Sequence, residues 1–517
     1  MIGQDGAKAS GMNLRGKIVP ARPNVLFIVI DQLRADCVFG ALSQYLDLPH
    51  LRALADDAVR FDCHHSVTSP CGPSRVSLLT GQYAMNHRAV RNGTPVRADT
   101  PNFATVVKDA GIRPLLYGYT DHANDPRGLD PGDPRLQSYE ELAPGFEEIV
   151  RMRLETDVTA WEDDLRAKGY DVPSYPDTYR PAGDTPGAPA FYAAEDSDTA
   201  FLTDKVLEDL PNRAPGWCAF VAYIRPHPPL VAPAPYNTMY APADMPPPRA
   251  FALGETLHPF VPVSAARNPI SGMVVGFPDL EPTPDTIAQM RALYFGLATE
   301  VDTHVGRLID WLKDSGQYED TLIVVTADHG ETLGDFGLWG KVNYFDASHH
   351  VPLIFRAPGG ARGHVVQAPT ESVDVTPTIL DHLGIDIPHS MDGHSLAPFL
   401  MGDTPSYWRR YSYSEIDFGN PIQPSGFQTN LGIDLDACNL AILRTADFKL
   451  VQFASDLPAL LFDMNAEEEA KNLAEDPEKT RILLDLSRQM LCHRMRNPDG
   501  TFSRTMVSSR GLEVGAA

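Results

Sequence analysis

The chain has 517 residues, with 43 Lys and Arg against 68 Asp and Glu, a net charge of −25. That length exceeds a typical single domain of ~100–150 residues and suits one large α/β domain with a smaller one attached. The acidic balance argues against a nucleic-acid partner, so an anionic substrate has to be attracted locally, by a metal and a few cations.

Residues 1–22 carry Lys8, Arg15, Lys17 and Arg22 but no long apolar run, and read as an N-terminal extension, not a secretory signal. No stretch approaches ~20 apolar residues, so no membrane association is expected. The six cysteines (Cys37, Cys63, Cys71, Cys218, Cys438 and Cys492) are sparse and irregularly spaced, unlike a secreted disulfide framework, and a cytoplasmic location is expected.

The first element is the apolar run Asn24–Ile30, a buried parallel strand ending at the polar Asp31-Gln32. Next, Cys71-Gly72-Pro73-Ser74-Arg75 and Leu79-Thr80-Gly81 place a cysteine on a Pro/Gly turn with an arginine close by. Further apolar runs at 115–119, 218–224, 321–326 and 351–355 alternate with helical patterns. The clearest helix spans 286–312, with Ile287, Met290, Leu293, Leu297, Val301, Val305, Leu308 and Leu312 at steps of three or four. Alternating strands and helices predict a mostly parallel sheet covered on both faces, with ligands beyond the carboxyl ends of its strands. Asp31-Gln32, Arg225-Pro226-His227 and Asp328-His329 follow such runs and are site candidates on that ground.

Pro/Gly-rich insertions at 125–134, 172–189 and 225–249, the last with nine prolines, read as binding loops or lids. Past residue 400 two strands flank the Thr445-Ala446-Asp447 turn, followed by a strand at 460–463 and a helix near 480–494. The expected domains are thus 1–22, 23–400 and a C-terminal α+β subdomain over 401–517.

Cys71-Gly72-Pro73-Ser74-Arg75 with Leu79-Thr80-Gly81 resembles the signature of the type I sulfatases, a branch of the alkaline phosphatase superfamily. The resemblance extends over residues 24–484. It implies an α/β/α sandwich around a mostly parallel sheet, with a small C-terminal α+β subdomain. It also implies that Cys71 is converted to formylglycine by a formylglycine-generating enzyme, and that the aldehyde hydrate is the nucleophile with Arg75 beside its hydroxyls. Asp31, Gln32, Asp328 and His329, with position 71, become ligands of one divalent cation. His227 becomes the proton donor to the leaving group, and Lys341 a holder of the substrate's anionic oxygens.

Two departures matter. Sulfatases generally carry Asp and Asn where this chain has Gln32 and His329, which softens the ligand set and makes Mn²⁺ competitive with Ca²⁺. The family's Gly-Lys-Trp-His segment is missing, and Gly118-Tyr119 leads instead to Asp125-Pro126-Arg127-Gly128. Together with Asn86-His87-Arg88-Ala89-Val90-Arg91-Asn92 and Arg225-Pro226-His227-Pro228-Pro229, this resembles the phosphonate monoester hydrolase branch, in which Asn92 and Tyr119 contact substrate. Asp121 replaces an expected threonine, and Asp121 or His122 is the nearest candidate base for collapse of the hemiacetal. The expected activity is therefore hydrolysis of small anionic esters: sulfate monoesters, with phosphonate monoesters and phosphodiesters as further substrates. A phosphonate monoester hydrolase with the same machinery is the first alternative, and a metal-binding protein without turnover the second. A homo-oligomer, dimer or tetramer, is expected.

Overall fold

The computed structural model describes residues 11–12, 18–19, 22–466, 469–499 and 505–514. Most of the expected N-terminal extension lies outside the described residues. The centre is an eight-stranded sheet. Its strands in chain order are β1 (Asn24–Ile30), β2 (Val59–Phe61), β3 (Pro114–Gly118), β4 (Glu147–Arg151), β5 (Cys218–Tyr223), β6 (Thr321–Thr326), β7 (Leu353–Arg356) and β8 (His364–Val366). Their spatial order is β8-β2-β7-β6-β1-β5-β3-β4. Four adjacent strands, β6-β1-β5-β3, are mutually parallel and fully buried, as their unbroken apolar sequences require.

The run at 351–355 forms β7, which pairs antiparallel with both β6 and β2. The chain leaves β6 at its carboxyl edge, builds the loop 327–352 there and re-enters the sheet from that same edge. No crossover intervenes, so the strand direction must reverse. β2 and β8 have only three residues each, and β4 is a charged edge strand, Glu-Glu-Ile-Val-Arg; neither kind of sequence shows a strand periodicity.

Three helices organise the rest. α1 (Cys71–Thr80) is buried along its whole length and ends at Gly81, whose φ of 64° is the left-handed conformation that a helix stop favours. α2 (Pro284–Asp314) starts with Pro284 just inside a Thr283 cap whose hydroxyl accepts from the Thr286 N–H, and its apolar stripe packs on the sheet. α3 (Thr480–Arg496) closes the chain's second part. That part contains an antiparallel sheet of β9 (Tyr411–Asp417), β10 (Asn439–Thr445), β11 (Phe448–Phe453) and β12 (Leu460–Asp463). β9 docks on the first part through hydrogen bonds from the Glu415 N–H to the Val67 carbonyl and from the Tyr413 N–H to the Glu371 carboxylate. No helix among the described residues is long and apolar enough to cross a membrane.

Candidate active site and metal centre

β1, β3, β5 and β6 each end at the same sheet edge, and each delivers one part of the site. Asp31 and Gln32 follow β1, Tyr119 and Asp121 follow β3, His227 follows β5, and Asp328 and His329 follow β6. Cys71, the first residue of α1, completes the group. One ligand atom each from Asp31, Cys71, Asp328 and His329 lies within 4.8 Å of all the others. Gly330 lets the β6 loop close over them: a Cβ there would sit 2.0 Å from the Ala347 carbonyl oxygen.

Arg75 is completely buried and holds the acids in place. Its Nε donates to Asp328 Oδ2 at 3.0 Å, and its Nη2 donates to Asp31 Oδ2 at 3.2 Å and to the Tyr119 hydroxyl at 2.8 Å. The Tyr119 ring lies under the guanidinium at 3.9 Å, and its hydroxyl donates to Asp31. Tyr119 therefore faces the carboxylates and not the cleft where substrate contact was expected. Arg75 likewise spends its donors on Asp31, Asp328 and Tyr119.

The electrostatics are those of a site built for a cation. Burial, then the charge on Asp328, raises the Asp31 carboxyl above its ordinary range. Burial also opposes ionisation of Asp328, but His329, Arg75 and the Gln32 N–H outweigh it and hold it at about 2. Asp31 Oδ1 is buried without any hydrogen-bond partner. His329 is held neutral by burial, at about 4. Its Nδ1 faces the Gly330 carbonyl at 3.0 Å and must carry the proton, so the Nε2 lone pair points inward, 3.1 Å from Cys71 Sγ and 3.8 Å from Asp31 Oδ1 and Asp328 Oδ2. An orphaned carboxylate oxygen, a second carboxylate and an inward imidazole lone pair fit a divalent cation.

Gln32, expected as a ligand, stands beside this group. Its Oε1 accepts from Lys341 Nζ at 2.7 Å and its amide donates to Glu331, while its backbone N–H donates to Asp328 Oδ1 at 3.1 Å. Glu331 also accepts from the Leu333 and Gly340 N–H groups, which fixes the loop carrying Lys341. Glu331 follows Asp328-His329 after one glycine in sequence, but nothing in its spacing distinguishes a loop brace from a surface acid.

Lys341 and His227 line the floor of a cleft of about 1030 Å³, with Gln32, Pro70 and Asn92. Lys341 Nζ lies 2.8 Å from His227 Nε2, and His227 Nδ1 lies 2.5 Å from the Pro228 carbonyl oxygen. Nδ1 carries the proton, so Nε2 accepts from the lysine. Burial and the neighbouring Lys341 push the His227 pKa far down, whereas Lys341 stays charged against the cost of its burial, with the Asp31 and Glu331 carboxylates nearby. His227, expected as the proton donor to the leaving group, thus shares a hydrogen bond with Lys341, on which the pair's available proton sits at rest.

Asn92 accepts from the Gly72 N–H at 3.0 Å and reaches the cleft wall. Asp121 is buried with φ 50°, 3.8 Å from Arg75 Nε, and burial first, then Asp31 and Glu140, favour its protonated form. His122 is not in the site. Its side chain lines a separate small cavity with Val76, Leu79 and Val96. The opposite wall of the cleft comes from residues 417–430, joined to Arg91 by the 3.0 Å ion pair to Asp417. No short motif marks that wall, since it is brought there by the second sheet.

The sulfatase family model matches residues 23–385, and the model for the C-terminal part of N-sulphoglucosamine sulphohydrolase matches 334–496. The chain belongs to the sulfatase family. It is 36% identical to the multifunctional alkaline phosphatase superfamily protein PehA of Trinickia caryophylli, over 95% of this chain and 99% of that one. Choline-sulfatase of Rhizobium meliloti is 29% identical over 88% of this chain and 83% of its own. Among solved structures, a phosphonate monoester hydrolase of Silicibacter pomeroyi is 55% identical with a TM-score of 0.93, covering 96% of this chain and 99% of its own. The phosphonate monoester hydrolase of Agrobacterium radiobacter is 35% identical with a TM-score of 0.89, over 96% and 100%.

Proposed function

We propose that the protein is a formylglycine- and metal-dependent hydrolase of singly charged tetrahedral esters: sulfate monoesters, together with phosphonate monoesters and phosphodiesters. The observation that carries this reading is the convergence of Asp31, Cys71, Asp328 and His329 beneath a cleft whose floor presents Lys341 and His227. The names of its relatives, sulfatases on one side and phosphonate monoester hydrolases on the other, support both halves of the substrate range.

Position 71 cannot act well as a cysteine. Burial, with Asp31 beside it, pushes the thiol far above its ordinary pKa and keeps it protonated. Formylglycine, made from Cys71 by a formylglycine-generating enzyme, would supply a geminal diol: one hydroxyl would displace the alcohol from sulfur or phosphorus, and loss of the other's proton would expel the sulfate or phosphonate and restore the aldehyde without water attack. A divalent cation held by Asp31, Asp328, His329 and position 71 supplies charge stabilisation of the ester oxygens; Mn²⁺ and Ca²⁺ are the candidates.

The chain's own residues do the rest. Arg75 fixes both carboxylates, and Asn92 fixes the Gly72 backbone at the nucleophile. Lys341 presents a proton and a positive charge at the cleft floor, shared with His227 Nε2, so the pair stabilises and protonates the departing oxygen as the bond breaks. Burial opposes the ionisation of Asp121, which weakens its repulsion of a monoanionic ester. The test is the mass of the peptide containing position 71, combined with kcat/KM for sulfate, phosphonate and diester substrates sharing one leaving group. An unmodified cysteine in fully active protein, or no rate above background on any of the three, overturns the proposal.

A further inference from the structure

A second large cleft, of about 730 Å³, lies between the segment 406–411 and α3. It shares no lining residue with the catalytic cleft. Pro70, at the start of α1, lines the catalytic cleft, and Tyr83, just past the end of α1, lines the second. The ten residues of α1 separate them by about 15 Å of helix.

The charge of this second cleft is opposite to that of the chain. Four arginines, Arg409, Arg410, Arg488 and Arg496, line it against two acids, Glu371 and Asp392. Glu371 is already matched by Arg409 at 2.5 Å and by the Tyr83 hydroxyl at 2.6 Å. Burial raises Asp392 to about 7, so much of its charge is lost near neutrality. The other three arginines are exposed and make no ion pair among the described residues. Arg496 also suits the negative end of α3, but Arg488 in mid-helix and Arg410 in a loop have no such reason to be there. Steps of four residues place Arg488, Cys492 and Arg496 on one ridge of α3, and all three line the cleft.

The interior contains an unmatched polar group. His493 is 5% exposed, stacked on Tyr413 at 4.2 Å and met edge-on by Tyr83 at 4.8 Å. Its Nδ1 is 3.4 Å from the Tyr411 hydroxyl, and its Nε2 has no hydrogen-bond partner. Nε2 lies beneath the surface of the cleft that His493 helps to line. Buried polar atoms of native proteins are seldom left in that state. Beside the arginines Tyr407 is 86% exposed, and Trp408 lies 5.2 Å from the Arg409 guanidinium, so flat aromatic faces border the cationic ones.

We propose that this cleft is a second, non-catalytic binding site for an oxyanion carried on an aromatic scaffold, with a nucleoside monophosphate as the model ligand. The arginine ridge takes the oxyanion, and the aromatic faces take the ring.

Calorimetric titration of the full chain with AMP, inorganic phosphate and adenosine tests this, with Cys71→Ala removing turnover. AMP is expected to bind at one site per chain, at least 10-fold more tightly than either phosphate or adenosine. Adding Lys341→Ala should leave AMP affinity unchanged, whereas adding Arg488→Ala and Arg496→Ala should weaken it by about 10-fold or more. In the otherwise native protein this arginine pair should leave kcat/KM intact. Absence of saturable AMP binding up to about 10 mM overturns the proposal. So does binding that is lost with Lys341→Ala but kept without the arginines, which puts AMP in the catalytic cleft. Equal binding of AMP and adenosine refutes oxyanion recognition, and equal binding of AMP and phosphate refutes the aromatic part.

Discussion

Two buried clusters in this molecule each hold an arginine against carboxylates, two in one and, counting Asp121 at 3.8 Å from Arg75, three in the other. In the first, Arg409 bridges Glu371 and Asp374. Every carboxylate oxygen there is satisfied: Glu371 by Tyr83, the Tyr413 N–H and Arg409, and Asp374 by the Glu371 and His394 N–H groups and Arg409. In the second, Arg75 bridges Asp31 and Asp328, but Asp31 Oδ1 is left bare and the His329 lone pair points at the same place. Burial does not distinguish the two; completeness of hydrogen bonding does. The complete cluster holds β9 against the first part of the chain, while the incomplete one leaves coordination sites for something the protein does not itself provide.

The largest expected effect separates chemistry from structure. Cys71→Ala should lower kcat by on the order of 10⁴-fold or more while the melting temperature stays within a few degrees, read by steady-state kinetics and calorimetry. A variant with more than a few per cent of activity would mean that position 71 does not carry the covalent step.

The comparison itself is sharpened by removing one acid from each cluster. Glu371→Gln leaves a buried charge poorly matched and should cost about 3 kcal/mol of stability by denaturant unfolding, with kcat per folded molecule unchanged. Asp31→Asn, which removes the carboxyl whose ionisation burial opposes, should do the reverse, losing bound metal and nearly all activity while the metal-free protein unfolds at an unchanged or higher denaturant concentration. Equal stability losses in both variants would erase the distinction drawn above.

Lys341→Ala and His227→Ala should each slow esters of poorly activated alcohols by about 10²-fold and esters of acidic phenols far less, because a good leaving group departs without a proton. Since the two side chains share one hydrogen bond, the double variant should be little worse than either single one. Fully additive losses would show that they act independently.

The smallest effect is on pH dependence. In metal-free protein the Asp31 carboxyl is raised above its unfolded value of 3.8. Its contribution is therefore complete below that value and is lost as pH rises through the folded pKa. Metal-free protein should thus lose stability with rising pH above about 4, Asp31→Asn should flatten the trend, and added Mn²⁺ or Ca²⁺ should abolish it. A metal-free profile identical to that of Asp31→Asn would disconnect Asp31 from the effect.

Much of this was readable from sequence for a physical reason. β1, β5 and β6 are buried on both faces, so their apolar runs are continuous, and the polar residue ending each run marks the sheet edge where Asp31, His227 and Asp328 meet. The signature segment is local, so its resemblance to a family carries over residue by residue. Orientation was not readable. Tyr119 and Arg75 face inward to carboxylates, Gln32 turns to Lys341, and His122 points into another cavity, because each depends on partners from distant parts of the chain. The direction of β7 depended on where its preceding loop begins and ends, which apolarity does not encode.

The distance along the chain between the parts of the site has a consequence in time. Cys71 and His329 touch in the folded protein but are 258 residues apart in sequence. At about 5–20 residues per second of synthesis, roughly 10 to 50 s pass between the emergence of one and the arrival of the other. Once folded, Cys71, Pro73 and Arg75 are all buried within α1. Any enzyme that reads and alters this segment therefore has a window measured by the ribosome, and a slow-translating or late-folding chain would be altered more completely than a fast one.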